Sequence, residues 1–308
     1  MTTTVDSTGS QTSDTRPGPT LPVSSSASTR DPRPSAWGAL IRQPASACAL
    51  VFLGVLVIAA IGAPWLAPYD PAAQDITNRF AGLSAQHWLG TDEFGRDVAS
   101  RIIYAARVTL VAPLIALLVG VLLGVPAGLM SGVRRGIFDS VANKVSDTFL
   151  SIPAIVLALA LVAVLGPSLV NAMIAIGIAF APHLFRVVRS ATAVVAEETY
   201  MSSAEAIGAS LPRQLFVHVL PNIRAPLLVQ VTLLMGFALL AEASLSFLGL
   251  GVQPPEASWG SMLKSAYENQ FDAPFAVVPP GIALVLTILS FNVLGDGIRD
   301  VFSGGGTK

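Results

Sequence analysis

Long stretches without a charged side chain set the terms for this chain. Between Arg42 and Asp70 lie 27 uncharged residues, between Arg107 and Arg134 another 26, and between Asp147 and Arg186 a run of 38. The 31 positions from Arg224 to Glu256 hold one charge, Glu242, and the 23 between Asp272 and Asp296 hold none. A helix needs about 20 apolar residues to cross a bilayer, and every one of these runs is long enough. Only 12% of the 308 residues are charged and 53% are hydrophobic, where a soluble domain carries about 25% charge. The chain reads as an all-α integral membrane protein.

The 38-residue run is too long for one helix, and Gly166-Pro167 near its middle is strong turn punctuation. It is read as two spans, 149–165 and 169–185, joined by a tight hairpin. With spans near 46–66, 108–130, 226–248 and 275–294, the expectation is six transmembrane helices with both termini on one side. Lys/Arg bias selects that side. With cytoplasmic termini, 13 basic residues fall in cytoplasmic segments and 5 (Arg79, Arg96, Arg101, Arg107, Lys264) outside. Both termini are therefore expected to be cytoplasmic.

Several classes of function drop out. A net charge of −1 offers no electrostatic case for nucleic acid. The single cysteine, Cys48, excludes an intrachain disulfide, and His87, His183 and His218 show no metal-ligand spacing. No G-x-x-x-x-G-K-[ST] phosphate loop occurs, so an ATP-driven process would need its ATPase on another chain. Residues 1–36 are Ser/Thr/Pro/Gly-rich and are expected to form a disordered tail. The first apolar run exceeds a signal-peptide core and ends at Pro64-Trp65 without a small-x-small site, which favours an uncleaved span.

Two loops carry further signals. In the outside segment 70–107, Thr91 is a good N-cap, Asp92 and Glu93 suit a first helical turn, and Asp92/Arg96 and Asp97/Arg101 are i,i+4 pairs. The expectation is a solvated helix running into the second span, either a plain lead-in or the border of an outer entrance. In the cytoplasmic segment 186–225, residues 195–207 look helical and Gly208 suits a left-handed C′ position. Ser210 can cap a second helix, which Pro221 ends. That helix-turn-helix reads as a docking element or as a surface helix resting on headgroups. Glu242 is the only ionisable residue deep in an expected span. A carboxylate there costs at least ~2.5–3.5 kcal/mol on insertion scales, so it should face protein or water, as interhelical glue, gate or cargo contact. Pro126, Pro153, Pro182, Pro279 and Pro280 lie in or at the ends of spans, where neighbours or cavity water can satisfy the freed carbonyls.

Four stretches, HWLGTDEFGRDVASRIIYAARVTL (87–110), EETYMSSAEAIGASLPRQLFVHVLPN (197–222), EASLSFLGLGVQPPEASWGSML (242–263) and FNVLGDGIRD (291–300), share a further property. Together they resemble the permease subunits of dipeptide/oligopeptide-type ABC importers, specifically the C-type partner of a two-permease heterodimer. The resemblance spans residues 37–302. It implies the type I ABC importer permease fold in a bacterial inner membrane. It also implies a homologous second permease, one or two ABC ATPase subunits, separate or fused, and an extracytoplasmic substrate-binding protein. ATP and magnesium would be bound by the partner ATPase, with no cofactor or metal in this chain and no catalysis by it. Ser202, Ala204, Glu205, Gly208, Ser210, His218 and Pro221 would belong to the ATPase-coupling loop. Gly90, Thr91, Asp92, Gly95, Arg96, Asp97 and Arg101 would belong to the extracytoplasmic entrance or gate. One departure stands out: Ser202-Ser203 replace the family's usual Glu-Ala, and Glu205 is the candidate for the missing acid.

The expected organisation is a tail (1–36), a first span with its outside loop (37–107), a five-helix core (108–302) carrying the loop 186–225, and a C-terminal tail (303–308). The expected cargo is short peptides, with haem or nickel chelates as alternatives within the same importer type. An autonomous secondary transporter or channel finds thin support in the single membrane-depth Glu242. A pure scaffold leaves the prolines and the long entrance loop unexplained.

Overall fold

A computed structural model describes residues 36–302, so the tails expected at 1–36 (save its last residue) and 303–308 lie outside the described residues. The helices in chain order are α1 (Ala36–Arg42), α2 (Pro44–Ile61), α3 (Ala63–Leu66), α4 (Val98–Val133), α5 (Ile137–Leu150), α6 (Ala154–Leu165) and α7 (Leu169–Ala196). There follow α8 (Thr199–Ala206), α9 (Leu211–Arg213), a π-helical stretch Gln214–Val219, α10 (Leu220–Asn222), α11 (Arg224–Phe247), α12 (Trp259–Glu268) and α13 (Val278–Phe302).

Among the described residues, five helices are long and apolar enough to cross a membrane: α2, α4, α7, α11 and α13. The sixth expected span, 149–165, is not a continuous helix. Its chain breaks at Ser151–Pro153, and α5 and α6 meet at 89°. Pro153 supplies no N–H and disfavours helical geometry at the residue before it. What remains, α6, has 12 residues, about 18 Å of helix against a hydrocarbon core of about 30 Å. The hairpin that follows agrees with the Gly166-Pro167 reading. Gly166 takes φ +89°, and Ser168 caps α7 by accepting the Asn171 N–H at 3.1 Å.

The centre of the fold is the α4–α7 pair. Helices in lipid gain little hydrophobic energy from each other, so close packing of small residues takes over. Gly120, Gly124, Gly128 and Gly132 recur every fourth residue and line the contact. A Cβ on Gly124 would lie 2.4 Å from the Ala181 carbonyl, and one on Gly132 2.5 Å from Thr192 Cβ. Gly177 answers from α7, where a Cβ would lie 2.6 Å from the Ala116 carbonyl. Ala112, Ala116, Ala172, Met173 and Ile176 extend this core, which α6 and α11 flank with Ala158, Val162, Leu234 and Ala238. Helix α13 packs against α11 and carries α2 on its other side, where Leu40, Ala49 and Leu294 cluster.

Candidate functional site: two ends of α4

At the N-terminal end of α4 the chain builds a cap from buried charges. The helix starts at Val98, not at Thr91. Asp97 is its N-cap, accepting the Ser100 N–H at 2.8 Å and the Ser100 hydroxyl at 2.7 Å. Thr91 instead donates its hydroxyl to the Asn78 carbonyl and bridges Asp97 through the backbone. The expected lead-in helix gives way because Asp92 forms its own turn, its Oδ1 accepting the Phe94 and Arg96 N–H groups at 2.9 and 3.0 Å. Side-chain acceptors of this kind compete with helix. Gly95 completes the turn at φ +72°, and a Cβ there would lie 1.7 Å from the Asp75 carbonyl oxygen. Gly90, at φ +76°, lets the backbone pass Ala81, whose oxygen would sit 2.5 Å from a Cβ.

The charges are not solvated as expected. Arg96 and Arg101 are 8% and 7% exposed and Asp97 3%. The Asp92/Arg96 pair forms, with Arg96 Nε 2.7 Å from Asp92 Oδ2, but within a loop turn. The Asp97/Arg101 side-chain pair does not. Arg101 turns to Asp92 at 3.4 Å and donates Nη1 to the Pro71 carbonyl at 3.1 Å, while Asp97 faces His87 Nδ1 at 2.9 Å. The His87 ring lies 5.0 Å from that of Tyr69, whose N–H donates to Ser100 Oγ. Glu93 accepts from Arg96 at 3.2 Å and from the Ser265 hydroxyl of α12. Asp75, at the exposed rim, is held below the usual carboxylate range by hydrogen bonds from the side chains of Thr77 and Asn78.

Trp259, fully buried, wedges α12 onto α4 and donates its indole N–H to the Ile102 carbonyl at 3.1 Å. Between this cap and the Gly249–Glu268 stretch opens a cavity of about 500 Å³, walled by Glu93, Arg96, Arg101, Lys264 and Glu268. Glu242 lies behind its edge in α11. It is fully buried, and its Oε1 accepts the Ser246 hydroxyl at 2.7 Å, while Oε2 has no partner within hydrogen-bond distance among the described residues. Ser246 Oγ in turn accepts the Val252 N–H at 3.2 Å, so Glu242 fastens the chain leaving α11. It does not join the Asp92–Arg101 network.

At the other end of α4, residues 199–223 fold over the helix. Met201, Leu215, Val219 and Ile223 are buried against Val125, Leu129 and Val188. Helix α7 runs on to Ala196, and α8 occupies Thr199–Ala206, so the expected helix 195–207 is two pieces. Gly208 takes φ +79° with open space around a Cβ. Ser210 occupies the next N-cap position without a side-chain cap bond. Pro221 does not end the second helix. The preceding turn widens to π geometry, with Leu220 N–H bonded to the Leu215 carbonyl, and helical backbone continues to Asn222. Such π-bulges often mark functional sites.

Ala204 is buried, whereas Ser202, Gly208, Ser210 and Pro221 are exposed and His218 is partly so. The Glu205 side chain lies outside the described residues. Ile207, Phe216 and Val217 stand 86%, 62% and 57% exposed. Asn222 ties the two pieces together, donating to the Tyr200 hydroxyl at 3.0 Å and to the His218 carbonyl at 2.6 Å. Sequence reasoning missed His87, Ser265 and Trp259 as partners of the cap. It also missed Asp139, which pins α5 to α7 through Arg189 Nε and Nη2 at 2.5 and 2.8 Å. Of these, His87 and Trp259 stand in stretches with a readable motif.

This helical membrane architecture is an ABC transporter permease fold. A chain from an inward-facing MetNI methionine ABC transporter superposes on it with a TM-score of 0.53 at 19% identity, over 66% of this chain and 96% of that one. The chain belongs to the family of binding-protein-dependent transport system inner membrane components, whose pattern matches residues 124–305. Residues 34–84 match the N-terminal TM domain of oligopeptide transport permease C. Among its relatives is the dipeptide transport system permease protein DppC of Alkalihalophilus pseudofirmus, 40% identical over 82% of this chain and 83% of that protein. The glutathione transport system permease protein GsiD is 40% identical in Escherichia coli O1:K1 and 42% in Shigella flexneri serotype 5b, each over 88% of this chain and 90% of the relative. The protein is the permease component of a binding-protein-dependent ABC importer.

Proposed function

We propose that this chain is one of two permease halves of an ATP-driven importer of short peptides in a bacterial inner membrane. The bent α5–α6 pair counts as one crossing, giving six, with both termini cytoplasmic. That orientation rests on the excess of Lys and Arg in the segments sharing the termini's side. A homologous permease completes the path, and a binding protein delivers cargo to the Gly90–Arg101 cap. This chain holds no cofactor and hydrolyses nothing, the ATP and magnesium being bound by partner ATPase subunits.

The carrying observation is the 199–223 segment. Its inner face is fixed to α4 and α7 by Met201, Leu215 and Val219, while Ile207, Phe216 and Val217 point away from the fold. Exposed apolar side chains on an anchored loop suit a protein partner, and a rigid loop transmits the partner's movement to the helices beneath. Ser202, Ala204, Glu205, Gly208, Ser210, His218 and Pro221 are assigned to this coupling element, and Glu242 to holding the α11 exit. Peptide cargo rests on the dipeptide and glutathione relatives.

The test is uptake by the complex reconstituted in vesicles, with a dipeptide, glutathione, a nickel chelate and haem offered in turn through the associated binding protein. ATP-dependent accumulation of the dipeptide or of glutathione is expected. Accumulation confined to haem or the chelate would remove the peptide assignment and keep the importer.

A further inference from the structure

A second cavity, of about 400 Å³, lies beside the buried-charge cap, between α4 and Pro255–Ala257, with Arg101, Tyr104, Arg107, Val108 and Glu256 in its walls. Arg107 marks its depth. Its Nε and Nη2 donate to the carbonyls of Ala60 and Ile61, the end of spanning helix α2. Those last carbonyls lack intrahelical partners and form the negative end of the helix dipole. The guanidinium has further donors on Nη1, and its carbon lies 5.5 Å from the Tyr104 ring centre. Arg107 therefore stands at the membrane boundary, where Trp65, 84% exposed, suits an interfacial aromatic position.

Two charges in this cavity remain unmatched. Among the described residues, Arg107 has no acidic partner and Glu256 no basic one. Below Arg107, toward the membrane centre, Val111, Leu114, Leu118 and Leu122 continue the same face of α4 and are 52%, 52%, 60% and 62% exposed. The ligand that matches all three features carries anionic oxygens for Arg107, a cationic nitrogen for Glu256, and hydrocarbon tails for the stripe. We propose that this cavity binds the headgroup of a zwitterionic phospholipid, of the phosphatidylethanolamine type, from the leaflet on the cap's side. The proposal needs only that the chain spans a membrane and is independent of the cargo.

Native mass spectrometry of the detergent-extracted complex tests it, with phosphatidylethanolamine, phosphatidylglycerol and soluble phosphoethanolamine added separately. Phosphatidylethanolamine is expected to be retained about tenfold over phosphatidylglycerol, a difference of roughly 1.4 kcal/mol, and phosphoethanolamine is not retained at equal concentration. Glu256→Gln should bring the lipid ratio to about one without lowering thermal stability, since Glu256 is exposed and unpaired. Equal retention of the two lipids by the wild type, or an unchanged ratio in Glu256→Gln, would overturn the proposal. Retention of phosphoethanolamine equal to that of the lipid would assign the cavity to a soluble zwitterion and overturn it as well.

Discussion

Arg96 and Arg101, at one end of α4, are 8% and 7% exposed, whereas Ile207 and Phe216, at the other, are 86% and 62% exposed. One end buries charge and the other displays hydrocarbon, the reverse of ordinary sorting. The buried charges are matched within the chain: Asp92 serves both arginines, Glu93 serves Arg96 and Ser265, and Asp97 serves His87 and the start of α4. The exposed hydrocarbon has no match among the described residues. The cap is thus matched within itself, whereas the loop, on the proposed function, is completed by a partner ATPase.

That contrast can be broken at either end. The largest effect is expected from Gly95→Val. The new side chain meets the Asp75 backbone and must adopt positive φ, so the cap cannot close, and the variant should lose both thermal stability in detergent and uptake. Arg101→Ala comes next. It leaves Asp92 paired with Arg96 alone and the Pro71 carbonyl without its donor, a loss of about 1–3 kcal/mol. A thermal melt should show the drop, and adding Asp92→Ala should deepen it, since Arg96 then loses its carboxylate as well.

Gly208→Val sits at the opposite end and should behave differently. The left-handed geometry costs a Cβ about 1–2 kcal/mol, but open space surrounds it. The chain should insert normally and lose the coupling of ATP hydrolysis to uptake, so wild-type uptake would remove the coupling role. Phe216→Asp should leave stability within about 0.5 kcal/mol while ATPase co-purification falls. The smallest effect concerns Asp75. Its lowered pKa means the Asp75–Asn78 turn keeps its order through mildly acid conditions and loosens as pH falls through the folded-state value. Hydrogen exchange at the Thr77 amide, bonded to Asp75 Oδ1 at 3.1 Å, should accelerate only at the acid end. Acceleration already at pH 5 would contradict it.

The sequence was legible where physics acts locally. Charge-free runs located the long helices, Gly166-Pro167 located the hairpin, and Gly208 announced its left-handed turn. Two local signals misled because a competing local interaction won. Thr91 followed by two acids looks like a helix start, yet the Asp92 side chain and Gly95 close a turn first. Pro153 was visible, but the 89° bend was not, since α5 is held to α7 by Asp139 and Arg189, 50 positions apart with no pattern linking them. The partners of the cap were beyond reach for the same reason. Glu93 and Ser265 are 172 positions apart, and Trp259 bonds a carbonyl 157 positions away, with no pattern linking them.

The central claim is that the exposed 199–223 face belongs against an ATPase. Extraction of the tagged full chain from its native membrane in mild detergent, with identification of whatever accompanies it and an ATPase assay, tests that most directly. The account predicts recovery of a second permease with an ATP-hydrolysing subunit, and loss of that subunit in Phe216→Asp. A chain that purifies alone and moves solute across vesicles without ATP would contradict it.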